Sequence, residues 1–494
     1  MNNKNFDECK MNIANNKRRL GCIFLCAMIV AGVFVIVFSK STSFLYPYFQ
    51  GYDSPTYFFV GKSWARGSIP YKDIFMDKGA LIYFVDMLGY IVTGNRYGVI
   101  IFQTIFMMVT IVAIYAYSGL ICKKNFSRIG IVLLVLLSLT LLYEEGNLVE
   151  EYFLPFLFIS IYFQSKYLSN TENMKQHNPK YAFFYGVTFS VALLTRITNV
   201  LPVVCGAFLI AIILLTSKEW KNIVENIFGG ILGIIIPILP VIVYFWSQDA
   251  LWDWWQSEFM YGIKYLKYMG TWHDNLTFIS VKYFLTRYFL VYFPICTVLL
   301  IGKMKKIDKI VLLSILIGLV ETAFFWNSTG YAHYAMIAIP NMLLIFLACK
   351  RCDRKKITKI ILAVLCIYAM FCGFVSCRNA IREYSVSRTL PTQYKEVVQC
   401  IPEDASGVGA YNFSSFYLWF EDATAYKYIA FQDDLAKVNY DIKNEIRKYY
   451  ESGACQWLVV KGEAAAIQDI LEDKYDIVVE NEKYSLYRWN AYGK

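Results

Sequence analysis

Charge is scarce in this sequence: Asp, Glu, Lys and Arg together supply 17% of its residues, against about 25% in a soluble globular domain. That shortage excludes an ordinary solvated surface over 494 residues. Histidine is scarcer still, with three in all, and the thirteen cysteines mostly fall inside apolar runs. No His/Cys spacing suits a zinc site. The sequence also lacks a glycine-rich phosphate loop following a strand, which argues against a nucleotide site. It has no basic domain or stacking motif of a nucleic-acid binder. The excess of 48 basic over 38 acidic side chains is spread in short clusters beside apolar runs. Clusters so placed set membrane topology and do not form a polyanion-binding face.

What the chain has in abundance is hydrophobicity, 57% of residues with a mean hydropathy of +0.41. A span needs about 20 apolar residues to cross the hydrocarbon core. The candidates are 20–39, 98–121, 128–143, 152–165, 182–198, 200–217, 224–246, 284–302, 308–326, 335–349 and 357–376. The stretch 80–93 is briefer and reads as a juxtamembrane or re-entrant helix. The first run is long for a signal peptide and no small-x-small cleavage site follows it, so a retained helix is expected.

Alternating these spans puts Lys17/Arg18/Arg19, Lys123/Lys124/Arg128, Lys166/Lys175/Lys180, Lys218/Lys221, Lys303/Lys305/Lys306/Lys309 and Lys350/Arg351/Arg354/Lys355/Lys356 on one side. The positive-inside rule makes that side cytoplasmic. The expected fold is therefore an all-α polytopic membrane bundle of about 11 helices, N-terminus inside, over residues 1–377. The tail, 378–494, is more polar and carries short β-like runs at 407–413, 456–462 and 475–489, with a helical pattern at 463–473. These predict a small extracytoplasmic α/β domain, within which Cys400 and Cys455 could pair.

The same topology sends the chemistry-bearing segments to the outer face. Asp53 follows the first span, flanked by Tyr52, Ser54 and Pro55. It can be a general base, or Asp53 or Ser54 can cap a helix that begins at Pro55. Residues 56–66 can form an amphipathic interfacial helix, with Trp64 and Arg66 at headgroup depth. Lys78, in YKDIFMDKG, suits a phosphate oxygen or simple snorkelling. Glu144, Glu145, Glu150 and Glu151 crowd one short turn and invite a divalent cation or a cationic partner. Arg196 is costly at its depth, which points to function or to a structural ion pair. His333, followed by Tyr334, suits a hydrogen bond to phosphate or sugar. Zinc on His273, His333 and glutamates would need three or four ligands. The aromatic run 252–272 can belt the interface or stack on sugars.

In order, these are an acidic residue after the first span, an interfacial helix, and G-x-x-P-Y-x-D-x-F-x-x-K-G at 67–79. An acidic turn before the fourth span, an Arg at the end of the fifth and a late His-Tyr follow. The pattern resembles bacterial GT-C glycosyltransferases of the protein O-mannosyltransferase and aminoarabinose-transferase type. The resemblance implies a helical membrane enzyme of the bacterial plasma membrane, inverting, with its active site at the extracytoplasmic face. The implied partners are a polyprenyl-phosphate sugar donor, membrane lipid and a cell-envelope acceptor, with no required cofactor. It further implies Asp53 as catalytic base, Lys78, Arg196 and His333 at the donor phosphate, and Glu150 or Glu151 as a second acid. Many relatives have Lys-Pro-Pro where this chain has Lys78-Gly79-Ala80, and some have an Asp-Glu pair where Asp53 stands alone. The competing expectations are a transporter or flippase, or a polymerase or ligase, for lipid-linked glycans. A transporter predicts charges midway along several helices and repeated halves. Here charges gather at one face and no internal repeat is visible.

Overall fold

The computed structural model describes residues 3–170, 176–268, 288–292, 308–326, 331–351, 355–420, 423–424 and 426–490. Long apolar runs without interior punctuation become helices because a backbone in lipid must satisfy its polar groups within the segment. In chain order they are α1 (Asn3–Phe38), α2 (Asp53–Ala65), α3 (Ala80–Thr93), α4 (Val99–Ile121), α5 (Asn125–Leu142), α6 (Val149–Ser169) and α7 (Pro179–Leu193). Then follow α8 (Leu201–Thr216), α9 (Trp220–Ser247), α10 (Leu251–Trp254), α11 (Tyr261–Tyr268), α12 (Lys309–Trp326), α13 (Asn341–Arg351) and α14 (Lys355–Val386). Among the described residues seven helical segments are long and apolar enough to cross a membrane. The expected spans 152–165, 182–198 and 308–326 are helices of the same bundle (α6, α7 and α12), whereas most of 284–302 lies outside the described residues. The chain is a multi-pass integral membrane protein.

The bundle has two distinct ends. At one, Arg19 bonds Asn125 at 3.1 Å, Lys350 bonds the Leu120 carbonyl at 2.7 Å, and Arg351 reaches Asp308 and the Ser169 carbonyl. These basic residues come from separate clusters in the sequence, so the clusters converge in space. The opposite end gathers the loop after α1, the turn between α5 and α6, and the segment before α13.

α2 departs from expectation. It carries buried side chains on every face and packs against α3 on one side. On the other side it meets the tail, where the Phe59 and Tyr417 rings lie 4.6 Å apart. Covered by protein in this way, α2 packs as a buried helix and does not lie open along a surface as an amphipathic helix would. α7 stops at Leu193, earlier than expected, and Arg196 lies in an extended link before a 3₁₀ turn at Ile197–Val200.

α14 continues past residue 377 to Val386 and leads into the tail. There α15 (Thr392–Val398), β1 (Val408–Tyr411), α16 (Phe416–Trp419), α17 (Gln432–Val438), α18 (Tyr440–Glu451), β2 (Trp457–Lys461), α19 (Gln468–Lys474), β3 (Tyr475–Glu480) and β4 (Tyr484–Trp489) form a small α/β unit. Its mixed sheet has the order β1-β2-β4-β3, with β1 parallel to β2 and the other pairs antiparallel. α18 buries Ile442, Ile446 and Tyr450, spaced to share one helix face. Cys400 and Cys455 are both free, the first exposed and the second buried, so the possible disulfide is absent. The unit is bonded to the loops after α1 and after α2. Ser415 donates to the Gly51 carbonyl at 3.0 Å, Gln50 to the Tyr484 hydroxyl at 2.9 Å, and the Phe75 amide to the Lys427 carbonyl at 2.7 Å.

Candidate active site

Where the tail meets the bundle lies a cavity of about 1240 Å³. Asp53, Lys78 and His333, three sequence-predicted site residues, line it together with Asp77, Glu144, Glu145 and Tyr334. Bonds between segments distant in sequence help bring them there. The backbone of residues 79–81 bonds that of 194–195, with the Gly79 amide on the Thr195 carbonyl at 3.1 Å and the Leu81 amide on the Leu194 carbonyl at 2.9 Å. A Cβ at residue 79 would overlap the Leu194 carbonyl. That close approach explains why a glycine follows Lys78.

Asp53 is the first residue of α2, but its side chain does not cap that helix. The cap is Glu145, 92 residues away. One Glu145 oxygen accepts from the Asp53 and Ser54 amides at 3.0 Å each, and the other from the Tyr52 amide at 3.1 Å. The orphan amides of the first turn are thereby satisfied from another loop, and the Asp53 carboxylate stays free to face the cavity. Burial lifts the Asp53 carboxyl above its ordinary range, and the attraction of Lys78 and His333 offsets this only in part. Burial alone would lower the Lys78 ammonium, but Asp77 at 2.7 Å holds it above the usual lysine range.

The acidic turn does not converge on one point. Glu144 bonds His333 Nδ1 at 2.5 Å, and Glu145 caps α2. Glu150 pairs with Arg196 at 3.3 Å. Glu151 is held in a buried network by Tyr143, by Gln103 and by the Asn147 amide. Two of these carboxylates, Glu144 and Glu150, meet a basic side chain, and the other two accept from neutral donors. Among the described residues no group of three His, Cys, Asp or Glu is placed to hold a metal ion; His273 lies outside them. Neither Glu150, Glu151 nor Arg196 lines the cavity. Arg196 sits one layer behind it, its guanidinium 3.3 Å from the centre of the Tyr334 ring. Of the aromatic run, Trp254 is buried and bonds Glu258, while Trp252 is largely exposed.

Sequence reasoning missed several cavity residues. Lys40 and Arg378 both line it. Each closely follows an expected span, 20–39 or 357–376, and that position at an outer helix end was the available signal. Glu145 as a cap was invisible, since a cap normally lies beside its helix.

Glu145 also gives a pH-dependent prediction. Burial, with Asp53 nearby, pushes its carboxyl up to about 7 from an ordinary 4.5. The folded state therefore holds this proton more tightly. It gains stability from it as pH falls from about 7 toward 4.5 and loses that contribution as pH rises past about 7. The cap itself works best above that value, where both oxygens accept. Amide hydrogen exchange should show protection of residues 52–54 weakening as pH falls through about 7. In Glu145→Gln the protection should be low and show no such step. Equal protection in both proteins would remove Glu145 as the cap.

Residues 13–360 match the model of the competence-induced protein Ccs4 N-terminal domain family. No curated protein matches the chain. Among solved structures, ArnT from Cupriavidus metallidurans bound to undecaprenyl phosphate superposes with a TM-score of 0.56 at 11% identity, over 96% of this chain and 98% of that one. An Archaeoglobus fulgidus oligosaccharyltransferase tethered to an acceptor peptide gives 0.49 at 10% identity, over 95% and 74%. The superposition on ArnT shows that this chain has a fold similar to that protein's.

Proposed function

We propose, for a chain that belongs to the competence-induced Ccs4 N-terminal domain family, the function of a membrane glycosyltransferase. It moves a sugar from a polyprenyl-phosphate donor to a cell-envelope acceptor (glycan, teichoic acid, lipid or protein) at the extracytoplasmic face of the bacterial plasma membrane. The observation that carries this reading is the meeting of Asp53, Lys78 and His333 in one cavity between the bundle and the tail.

The reaction is a single displacement. An acceptor hydroxyl attacks the anomeric carbon, and its proton passes to the Asp53 carboxylate. The new C–O bond forms as the bond from that carbon to the phosphate oxygen breaks, and the leaving polyprenyl phosphate keeps the electron pair. The configuration inverts. A carboxyl lifted by burial is a stronger base than a solvated one. The ammonium of Lys78, kept charged by Asp77, balances charge growing on the phosphate. His333, oriented by Glu144, offers its other ring nitrogen to phosphate or sugar. Arg196 acts from behind Tyr334 and reaches the phosphate only if that ring moves. Residues 1–377 then carry the catalysis, with the tail as an extracytoplasmic unit over the site.

The test is transfer of radiolabelled sugar by the protein in envelope membranes, with polyprenyl-phosphate sugars, polyprenyl-pyrophosphate oligosaccharides and nucleotide sugars as alternative donors. Transfer from the lipid donor alone is expected. Transfer of an oligosaccharide from a lipid pyrophosphate would mean a polymerase or ligase. No transfer, with movement of a lipid-linked glycan across the bilayer, would mean a flippase.

A further inference from the structure

One wall of the cavity is aromatic and belongs partly to the tail. Tyr265 comes from α11, Tyr331 from the segment before α13, and Phe431 and Asp434 from the start of α17. Phe431 has φ 56° and ψ 32°, the left-handed region, which is an outlier for a bulky side chain. Such conformations persist only where the surroundings enforce them, and they gather at ligand sites. Here the two following residues do the enforcing. The Gln432 side chain is fully buried, accepts from the Asn412 amide at 2.8 Å, and donates to the carbonyls of Tyr428 and Ala410. Asp433 accepts from the Tyr411 hydroxyl at 2.8 Å, the Asn412 side chain at 3.0 Å and the Ala466 amide at 2.9 Å. Both clamped side chains point into the tail, and their neighbours Phe431 and Asp434 face the cavity. Asp434 has only a long, exposed contact of 3.9 Å to Lys437, so its carboxylate remains open to a ligand. Tyr331 keeps 47% of its surface exposed.

We infer that this wall is a carbohydrate subsite, in which Tyr265, Tyr331 and Phe431 stack on sugar rings and Asp434 accepts from sugar hydroxyls. The electron-rich face of an aromatic ring attracts the polarised C–H groups of a pyranose, and a free carboxylate on a rigid mount selects hydroxyl donors. At this wall Asp434 repels an anionic ligand, whereas the donor phosphate belongs beside Lys78 elsewhere in the cavity, so the wall favours an uncharged, hydroxyl-rich ligand. This inference rests on the glycosyltransferase reading and deepens it: the acceptor is a glycan, and the tail completes its binding site.

Binding tests it without turnover. The full chain in nanodiscs is titrated with glucose, galactose and N-acetylglucosamine oligosaccharides and read by saturation-transfer NMR. A Ser/Thr-rich peptide and an oligomeric glycerol phosphate run in parallel. At least one oligosaccharide should bind, and Tyr265→Ala or Asp434→Asn should weaken it on the order of 10-fold. Phe431→Gly, which suits the left-handed backbone, should do the same without unfolding the tail. Absence of binding by every oligosaccharide would overturn the inference, as would binding that all three variants leave intact. So would peptide or glycerol phosphate binding that depends on Tyr265. If instead oligosaccharides bind while no donor supports transfer, the subsite stands and the glycosyltransferase reading falls.

Discussion

Replacing Asp53 with Asn is expected to slow sugar transfer by about 10²- to 10⁴-fold, the usual contribution of a general base. The amide has nearly the same shape but cannot take the acceptor's proton. The fold should be unaffected, because α2 is capped through backbone amides by Glu145 and no side-chain hydrogen bond from residue 53 supports it. Thermal unfolding of the variant should therefore match that of the wild type, which separates lost chemistry from lost structure. Asp53→Glu keeps a base but displaces it by one methylene, so partial activity is expected there. Undiminished transfer in Asp53→Asn would remove this residue from the chemistry, and Glu144 and Asp77, which share the cavity, would be the next carboxylates to replace.

The parts of this molecule that were legible in the sequence are those fixed by local pattern. Helices followed apolar runs, and the basic clusters beside them foretold which helix ends meet, as the contacts of Arg19, Lys350 and Arg351 show. The strands of the tail followed its β-like runs; the run 475–489 is a hairpin whose turn lies at Asn481–Lys483. What the sequence hid was set by distant partners. α2 looked amphipathic because its Lys62, Ser63 and Arg66 are polar, yet the tail covers the side that would have faced the interface. The gathering of Asp53, Lys78 and His333 was readable only through a family resemblance, since no spacing links residues 53, 78 and 333. The division of labour among the four glutamates was not readable at all. Neighbours such as Glu150 and Glu151 turn to different partners because successive helix residues face about 100° apart, one toward Arg196 and the other toward Gln103 and Tyr143.

That division supplies the second large effect. The Glu150 carboxylate is fully buried, one oxygen meets Arg196 and the other has no hydrogen-bond partner. Removing the guanidinium by Arg196→Met would leave a buried charge without its ion-pair partner, a change that costs about 3–5 kcal/mol in comparable pairs. The long Met side chain keeps part of the packing against the Tyr334 ring, so the loss should report mainly the missing charge. Removing both charges, as Arg196→Met with Glu150→Leu, should recover most of that stability, because the desolvation cost disappears with the pair. Arg196→Lys should fall between, keeping the charge but losing the planar stack on Tyr334. Thermal unfolding of the purified variants measures the series. A single variant as stable as the wild type would mean that the pair carries no structural weight, and Arg196 would then be held in place for the phosphate alone. A stable double variant that has lost transfer would assign it both tasks. Its position behind Tyr334 makes that combination the expected result: Glu150 fixes the guanidinium, the guanidinium fixes the ring, and the ring forms the cavity wall between Arg196 and the ligand.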